Sequence, residues 1–393
     1  MKRVKPFLIS LTLMFLLGVE SGGFQMSLLE IAGDFGLSGI ENGTLVAAQY
    51  SAIIMMPFLF GIVAERVGKI RILHIFCLVF SAGCTVVIFT HSYLVLVFGI
   101  FIIGSGYSVC ESLVSAVLTE QYQDRAGRYL NLVQGAFSLG AVIGPHMIAW
   151  AKVMGAGWNI LFLICGAGFF AVWIGMFFVK EKNDKGEDAK RKDSKDAAYI
   201  RRKQHETETR FPAIFFLLVV SFFLYGGMEV GVSYYIDSYM QLELKGASLS
   251  AWAVSLFWLS MVPARLASGA LYRYRKLLLP VCFILSAPVF LGIAFTENPQ
   301  IGLILFAFLG LLLGTLWPNL MGMATEDNRE RAALAAGIMS TGCGLGAVLF
   351  PLLFGSLTES VGLRKGFLLL AVCSVIGGIL CIRYESLKRR RNQ

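Results

Sequence analysis

The chain has 393 residues, of which 56% are hydrophobic and only 15% charged, with a net charge of +9 and a mean hydropathy of +0.70; a soluble globular domain carries about 25% charged residues. That composition excludes a soluble protein and places the chain in a bilayer. The positive charge reads as membrane topology and attraction to anionic headgroups. No basic patch interleaved with aromatics marks a nucleic-acid partner. The eight cysteines lie in apolar segments without a Cys-x-x-Cys pair and the four histidines lack zinc-ligand spacing, so neither a metal nor a cofactor is expected.

A membrane-crossing helix needs about 20 mostly apolar residues. Cutting the chain at its charged or Gly/Pro-rich breaks yields about twelve such stretches. They run over 7–29, 43–64, 70–90, 93–118, 129–151, 157–179, 212–240, 248–271, 276–296, 299–324, 332–357 and 362–384. The first follows Lys2, Arg3 and Lys5 in the manner of a signal peptide, but it is too long and lacks a small-residue cleavage site, so it reads as a retained helix.

That first stretch contains Gly18-Val19-Glu20-Ser21-Gly22, and the seventh contains Gly227-Met228-Glu229-Val230-Gly231. A charge in hydrocarbon is expensive unless it faces a water-filled cavity or a partner, so both glutamates are functional candidates. Two glycines four apart share one helix face and let a neighbouring helix approach closely. Each glutamate lies two residues away, about 200° around the helix, and is expected to face a central cavity. The fourth stretch carries Gly106-Tyr-Ser-Val-Cys-Glu111, answered in the tenth by Gly314-Thr-Leu-Trp-Pro-Asn319. Leu139 to Pro145 in the fifth is answered by Leu345 to Pro351 in the eleventh. These matches share nearly one offset, each falling on the equivalent helix, so the chain reads as two repeated six-helix bundles.

The halves meet at the polar run Lys180–Arg210, where Lys/Arg alternate with Asp/Glu and no apolar face is long enough for a core. The expected division is therefore a bundle over 1–180, a cytoplasmic linker over 181–211 and a second bundle over 212–393. Nearly all basic residues fall on one side when both termini are cytoplasmic, which orients the chain in the cell membrane.

Parallel repeats that bind solute at the bilayer midplane and rock alternately are the physical plan of a secondary transporter. Over its whole length the chain resembles the major facilitator superfamily, which implies an all-α fold of twelve membrane helices in two pseudo-symmetric bundles. The loop after the second helix carries Gly61-Ile-Val-Ala-Glu65-Arg66-Val-Gly68-Lys69-Ile-Arg71, similar to the superfamily signature with glutamate in place of aspartate. The resemblance implies that Gly61, Glu65, Arg66, Gly68 and Lys69 latch the cytoplasmic gate. The second-half copy, Gly269 to Lys276, has Arg273 where the acid belongs. Gly104-x-Gly106-x-x-x-x-Glu111 and Leu130-Asn131-Leu132-Val133-Gln134 are similar to the fucose permease branch of sugar:proton symporters. That branch implies a protonatable Glu111 and a polar site at Gln134. The chain departs from it at Val114-Ser115, where Asn-Pro is expected, and its first-helix acid aligns nearer Gln25 than Glu20.

Glu111, Glu20 and Glu229 are thus the candidate proton-coupling residues. Gln25, Gln49, Tyr50, Gln134, Tyr234, Tyr235, Trp258, Trp317 and Asn319 are candidates for binding solute, since amides and aromatic faces suit a sugar-like molecule. Asp237 and Glu30, near outer helix ends, are expected to be solvated, and Arg265 to snorkel or cap its helix, with pairing to a cavity acid as the alternative. The expected function is proton-coupled symport of a small neutral polar solute by a monomer whose partners are solute, protons and lipid. The alternative is a proton-driven antiporter of lipophilic or cationic drugs, toward which Gly140-x-x-x-Gly144-Pro145 points. Enzyme signatures such as Gly-x-Ser-x-Gly or His-Glu-x-x-His are absent from the sequence, so catalysis is not expected.

Overall fold

The computed structural model describes residues 4–122, 126–177, 211–271, 274–328 and 332–391. Within them, twelve helices are long and apolar enough to cross a membrane. We number these α1 (Val4–Phe35), α2 (Gly39–Val67), α3 (Lys69–Phe89), α4 (Tyr93–Tyr122), α5 (Ala126–Val153) and α6 (Asn159–Met176) in the first half. The second half holds α7 (Phe215–Ser233), α8 (Ala247–Ala270), α9 (Arg275–Phe295), α10 in two pieces (Pro299–Gly314 and Leu316–Glu326), α11 (Ala332–Val361) and α12 (Leu363–Arg391). Helix α1 begins and α12 ends on one face, here the terminal face; the other is the distal face. Nearly all of the expected linker, 181–210, lies outside the described residues.

Local sequence explains the helix ends. At the distal face Ser38 caps α2: its hydroxyl accepts from the Glu41 N–H at 3.2 Å, and the Glu41 carboxylate accepts from the Ser38 N–H at 2.9 Å. Asn298 caps α10, with Pro299 in the first turn. Two helices expected to be continuous are broken. The tenth stops at Gly314 and resumes at Leu316, because Pro318 has no N–H to return to the Gly314 carbonyl. The seventh ends at Ser233, then continues through Tyr234 and Tyr235 into a short turn, Ile236–Ser238, and a π-helical turn, Tyr239–Glu243.

Packing follows the repeat. In the first half α1 lies on α5, α2 on α4 and α3 on α6; in the second α7 lies on α11, α8 on α10 and α9 on α12. The α1–α5 contact is a backbone-to-backbone approach. A Cβ on Gly18 would stand 2.0 Å from the Phe137 carbonyl oxygen, and one on Gly140 would stand 2.2 Å from that of Phe15. Gly22 faces Ala141 in the same way, so this pentad turns both glycines toward α5. The second pentad does so only in part. Gly227 meets the Phe350 ring, Gly231 has ordinary room, and Gly226 beside them takes the close approach to Cys343 of α11.

On the terminal face the second half is tied together by ion pairs. Arg275 at the start of α9 pairs with Glu326 at the end of α10, and Lys276 pairs with Glu385 of α12 at 3.4 Å. Asp327 receives Lys388 and the Tyr384 hydroxyl of α12, each at 2.5 Å. These contacts carry α12 to Arg391, beyond its expected end. They also show where the second signature copy finds its acids: at the far ends of α10 and α12.

The glycine contacts give a direct test of this packing. Replacing Gly140 by leucine should destabilise the protein by at least the 1–3 kcal/mol typical of overpacking, about what a forced core methylene costs. Gly33→Ala, where nothing stands within 4 Å, should leave the thermal midpoint in detergent unchanged. Equal midpoints for the two variants would show that the α1–α5 approach carries no packing energy.

Candidate functional site

The halves face each other along α2 against α11 and α5 against α8. Among the described residues, contacts between halves run from the distal face to the middle of the membrane. At the distal end a Cβ on Gly39 would stand 2.3 Å from the Gly355 carbonyl oxygen, and one on Gly43 would stand 2.4 Å from that of Pro351. The Ile40 N–H, in the open first turn of α2, donates to the Glu359 carboxylate of α11 at 3.1 Å. On the other side of the seam the Ser255 hydroxyl donates to the Val142 carbonyl at 2.8 Å. Toward the terminal face the halves part: Gly61 of α2, Gly135 of α5 and Gly337 of α11 have nothing within 4 Å of where a Cβ would stand. Among the described residues the halves are in close contact distally and apart on the terminal side.

Polar side chains converge where the closed part ends. Glu20 on α1 is fully buried. One carboxylate oxygen accepts from Gln49 Nε2 of α2 at 2.9 Å, and the other has no hydrogen-bond partner. Gln49 Oε1 accepts from the Tyr234 hydroxyl at 2.8 Å, which crosses from the first half to the second. The α7 break positions this tyrosine, whose ring lies edge-on to Tyr50 with centroids 6.0 Å apart. Five residues beyond Glu20, Gln25 makes a second crossing, its Oε1 accepting from Trp258 Nε1 of α8 at 2.8 Å. Its amide nitrogen is buried and unpartnered. Asn319 stands just past the α10 break, where its Nδ2 donates to the Thr315 carbonyl at 2.7 Å; its side-chain oxygen is buried without a partner.

The three membrane acids occupy three environments. Glu20 is sealed and touches no base. Glu229 on α7 is half-buried and lies 3.6 Å from Arg265 of α8. Glu111 on α4 is half-buried with no side-chain partner among the described residues. Taking a carboxylate out of water costs on the order of several kcal/mol unless a charge or full hydrogen bonding compensates it, so the three groups are far from equivalent.

Other candidates fall differently. Tyr235 is buried in the second half, where its hydroxyl donates at 3.0 Å to the same Pro351 carbonyl that Gly43 approaches, and its ring packs on Phe354. Gln134 is exposed on the terminal-side stretch of α5. Trp317 is 44% exposed beside Phe222 at the broken helix. In the signature loop Gly68 takes φ 111°, a conformation that favours glycine, and so turns α2 into α3. Gly61 lies in open space, Arg66 is exposed, Lys69 is half-buried and in contact, and the Glu65 side chain falls outside the described ones.

Two expectations need correction, and for Arg265 the alternative holds: it pairs with Glu229 at 3.6 Å. Asp237 is not solvated but buried, accepting from Gln241 at 2.7 Å, because the α7 break folds it against the distal seam. Glu30 is half-buried and pairs with Lys152 at 3.2 Å. The Gly39/Gly355 contact and the Glu359 latch were not anticipated, although Gly39-x-x-x-Gly43 is a readable small-residue pattern. A crevice of about 390 Å³ between α3 and α6, lined by Leu78, Cys84, Phe162 and Phe170, opens on the flank of the first half.

Comparisons with known proteins agree with this architecture. The model of the Major Facilitator Superfamily matches residues 9–327 and 239–393. The chain is 22% identical over 387 residues to a cis,cis-muconate transport protein of Acinetobacter baylyi, covering 95% of this chain and 92% of that one. It is 22% identical over 361 residues to a glucose/galactose transporter of Brucella abortus, covering 86% and 84%. A bacterial homologue of the human lysosomal transporter Spinster, solved inward-facing and occupied, superposes with a TM-score of 0.80 at 13% identity, covering 98% and 97%.

The glycine contact at the distal end should act as a hinge stop. Leucine at Gly355 should hold that face apart, seen as a longer spin-label distance between His91 and Glu297, exposed residues on the distal loops of the two halves. An unchanged distance would show that Gly39 and Gly355 do not set the closure.

Proposed function

Because this chain belongs to the Major Facilitator Superfamily, and so is a multi-pass membrane transporter and not an enzyme, we propose that it couples inward proton movement to uptake of a small neutral polar solute. The bundles 1–180 and 212–393 rock about the seam, joined by the cytoplasmic linker 181–211, in the cell membrane with both termini inside. What supports this reading is the charge of the site: among the described residues Arg265 is held by Glu229, and Glu20 and Glu111 touch no base. An organic anion would find no free base there to receive it at close range, where attraction and repulsion are strong. The two relatives' names divide between an organic acid and neutral sugars, and the charge of this site favours the neutral class.

The unpartnered groups fit such a solute. A hydroxyl can donate to the free Glu20 oxygen and to the Asn319 oxygen, and can accept from the Gln25 nitrogen. Trp258 and Trp317 offer flat faces for a sugar's C–H surface. Glu111, facing the open side without a partner, is the group best placed to exchange a proton with that compartment, while Glu20 and Glu229 respond to solute and to the other half. Gly61, Glu65, Arg66, Gly68 and Lys69 form the terminal-side latch of the opposite conformation.

Uptake into proteoliposomes under an imposed inward proton gradient tests the reading, screened over sugars and nucleosides. A neutral polar solute should accumulate above its external concentration. Glu111→Gln should reduce that accumulation at least about tenfold, the loss expected when about 1.4 kcal/mol of coupling disappears, while equilibrative exchange persists. Solute leaving against proton entry would instead establish antiport, and unaltered accumulation in Glu111→Gln would remove that residue from the coupling.

A further inference from the structure

The crevice between α3 and α6 measures about 390 Å³. We propose that it binds one acyl chain of a phospholipid in the distal leaflet. Neither helix belongs to the α2–α11 or α5–α8 seam, and the inference stands apart from the proton-coupled reading.

Small residues open the crevice. Ala82 and Thr85 of α3 and Ala167 of α6 line it, while Leu78, Leu163 and Phe170 rise beside them as exposed walls. At the floor Gly166 lets the two helices touch, for a Cβ there would stand 2.8 Å from that of Cys84. The repeat does not dictate this gap. Helices α3 and α9 are each 21 residues long, and aligned end to end they put Pro288, Phe290 and Leu291 in the places of Ala82, Cys84 and Thr85. On α9 Phe283 also fills the approach to α12, where a Cβ on Gly377 would stand 2.5 Å from its ring.

The lining selects an apolar occupant. Its hydroxyls are used within the protein: Ser81 donates to the Gly166 carbonyl at 2.9 Å and Thr85 to the Ser81 carbonyl at 3.0 Å. Among the described residues, no charged side chain lines the crevice, and no lining side chain has a buried unpartnered polar atom. Water needs about two to four polar partners to be held in such a place. A polar solute finds equally little there.

Size and position identify the occupant as a lipid chain. The volume falls within the roughly 300–1,000 Å³ of small-ligand sites. From Leu78 to Ile88 the lining follows α3 for about 15 Å at 1.5 Å per residue, half of the roughly 30 Å hydrocarbon core. That half is the distal one, because α3 runs from the terminal face at Lys69 to the distal face at Phe89. On α6, which starts distally at Asn159, the lining from Phe162 to Phe170 covers the same half. The crevice is continuous with the lipid-facing surface, so chains of that leaflet reach it directly. Lipid tails are as apolar as leucine, and the gain on entry is van der Waals packing between two walls. The ester end of the chain lies near Ile88 and Phe162, and its methyl end near Leu78 and Phe170.

Photocrosslinking tests the site in the full-length protein. The probe is a phosphatidylethanolamine with a diazirine near the methyl end of one acyl chain, mixed into phosphatidylethanolamine vesicles that hold the protein; adducts are mapped by peptide mass spectrometry. They should concentrate around Leu78 and Phe170, above the level on α9 and α12, and move toward Ile88 and Phe162 when the diazirine is placed next to the ester. Ala82→Phe combined with Ala167→Leu fills the crevice from exposed positions, and should lower labelling of α3 and α6 to the α9–α12 level without changing the latter. Should that variant fail to fold, Leu163→Ala removes a wall without adding bulk and should also lower the labelling. Equal labelling of the two helix pairs in the parent protein overturns the site, as does labelling of α3 and α6 that survives in the filled variant or, in its place, in Leu163→Ala. Labelling by the free diazirine fatty acid in the same vesicles, with none by the phospholipid, overturns the phospholipid assignment.

Discussion

The structure is organised around one electrostatic constraint: a carboxylate shut away from water must be neutral or compensated. Glu20 lies behind a closed seam with one hydrogen bond, Glu229 has Arg265, and Glu111 is half-buried with no side-chain partner among the described residues. These are three solutions to the same problem. The Gln49 and Gln25 amides, which cross to Tyr234 and Trp258, tie the two halves together beside Glu20.

Two rigid bodies are needed for such a seam to move as a unit, and the repeat supplies them. Within the first half, glycines bring α1 and α5 to backbone contact; within the second, Gly226 and Gly346 do this for α7 and α11. The terminal ends of α9, α10 and α12 are further clamped by Arg275–Glu326, Lys276–Glu385 and Lys388–Asp327. Between the halves α2 packs along α11 and α5 along α8, and the ties there include glycine contacts, a carboxylate on an open helix turn, and a few amide and hydroxyl bonds.

Much of this was legible in the chain. Hydropathy gave the helices and the internal matches gave the repeat, since a bilayer imposes a length rule that acts on sequence directly. The pentad glycines also indicated which face of α1 packs. What remained hidden depends on tertiary placement. The second pentad has the pattern of the first, yet Gly231 has room because Phe350 and Phe354 stand opposite it. Tyr234 and Tyr235 are adjacent and chemically identical, and the break in α7 sends one across the seam and the other into the bundle interior. Arg265 could be paired with Glu229 only once α7 and α8 were placed side by side, because no spacing in the sequence links residues on two different helices.

The central claim is that solute and proton move together through this seam. Proteoliposomes loaded with a pH-sensitive dye, weakly buffered and with no imposed gradient, test it when a neutral polar solute that the protein binds is added outside. Solute entry should acidify the lumen, and Glu20→Gln should abolish the signal. Solute entry with no change in internal pH, or with alkalinisation, would contradict the account.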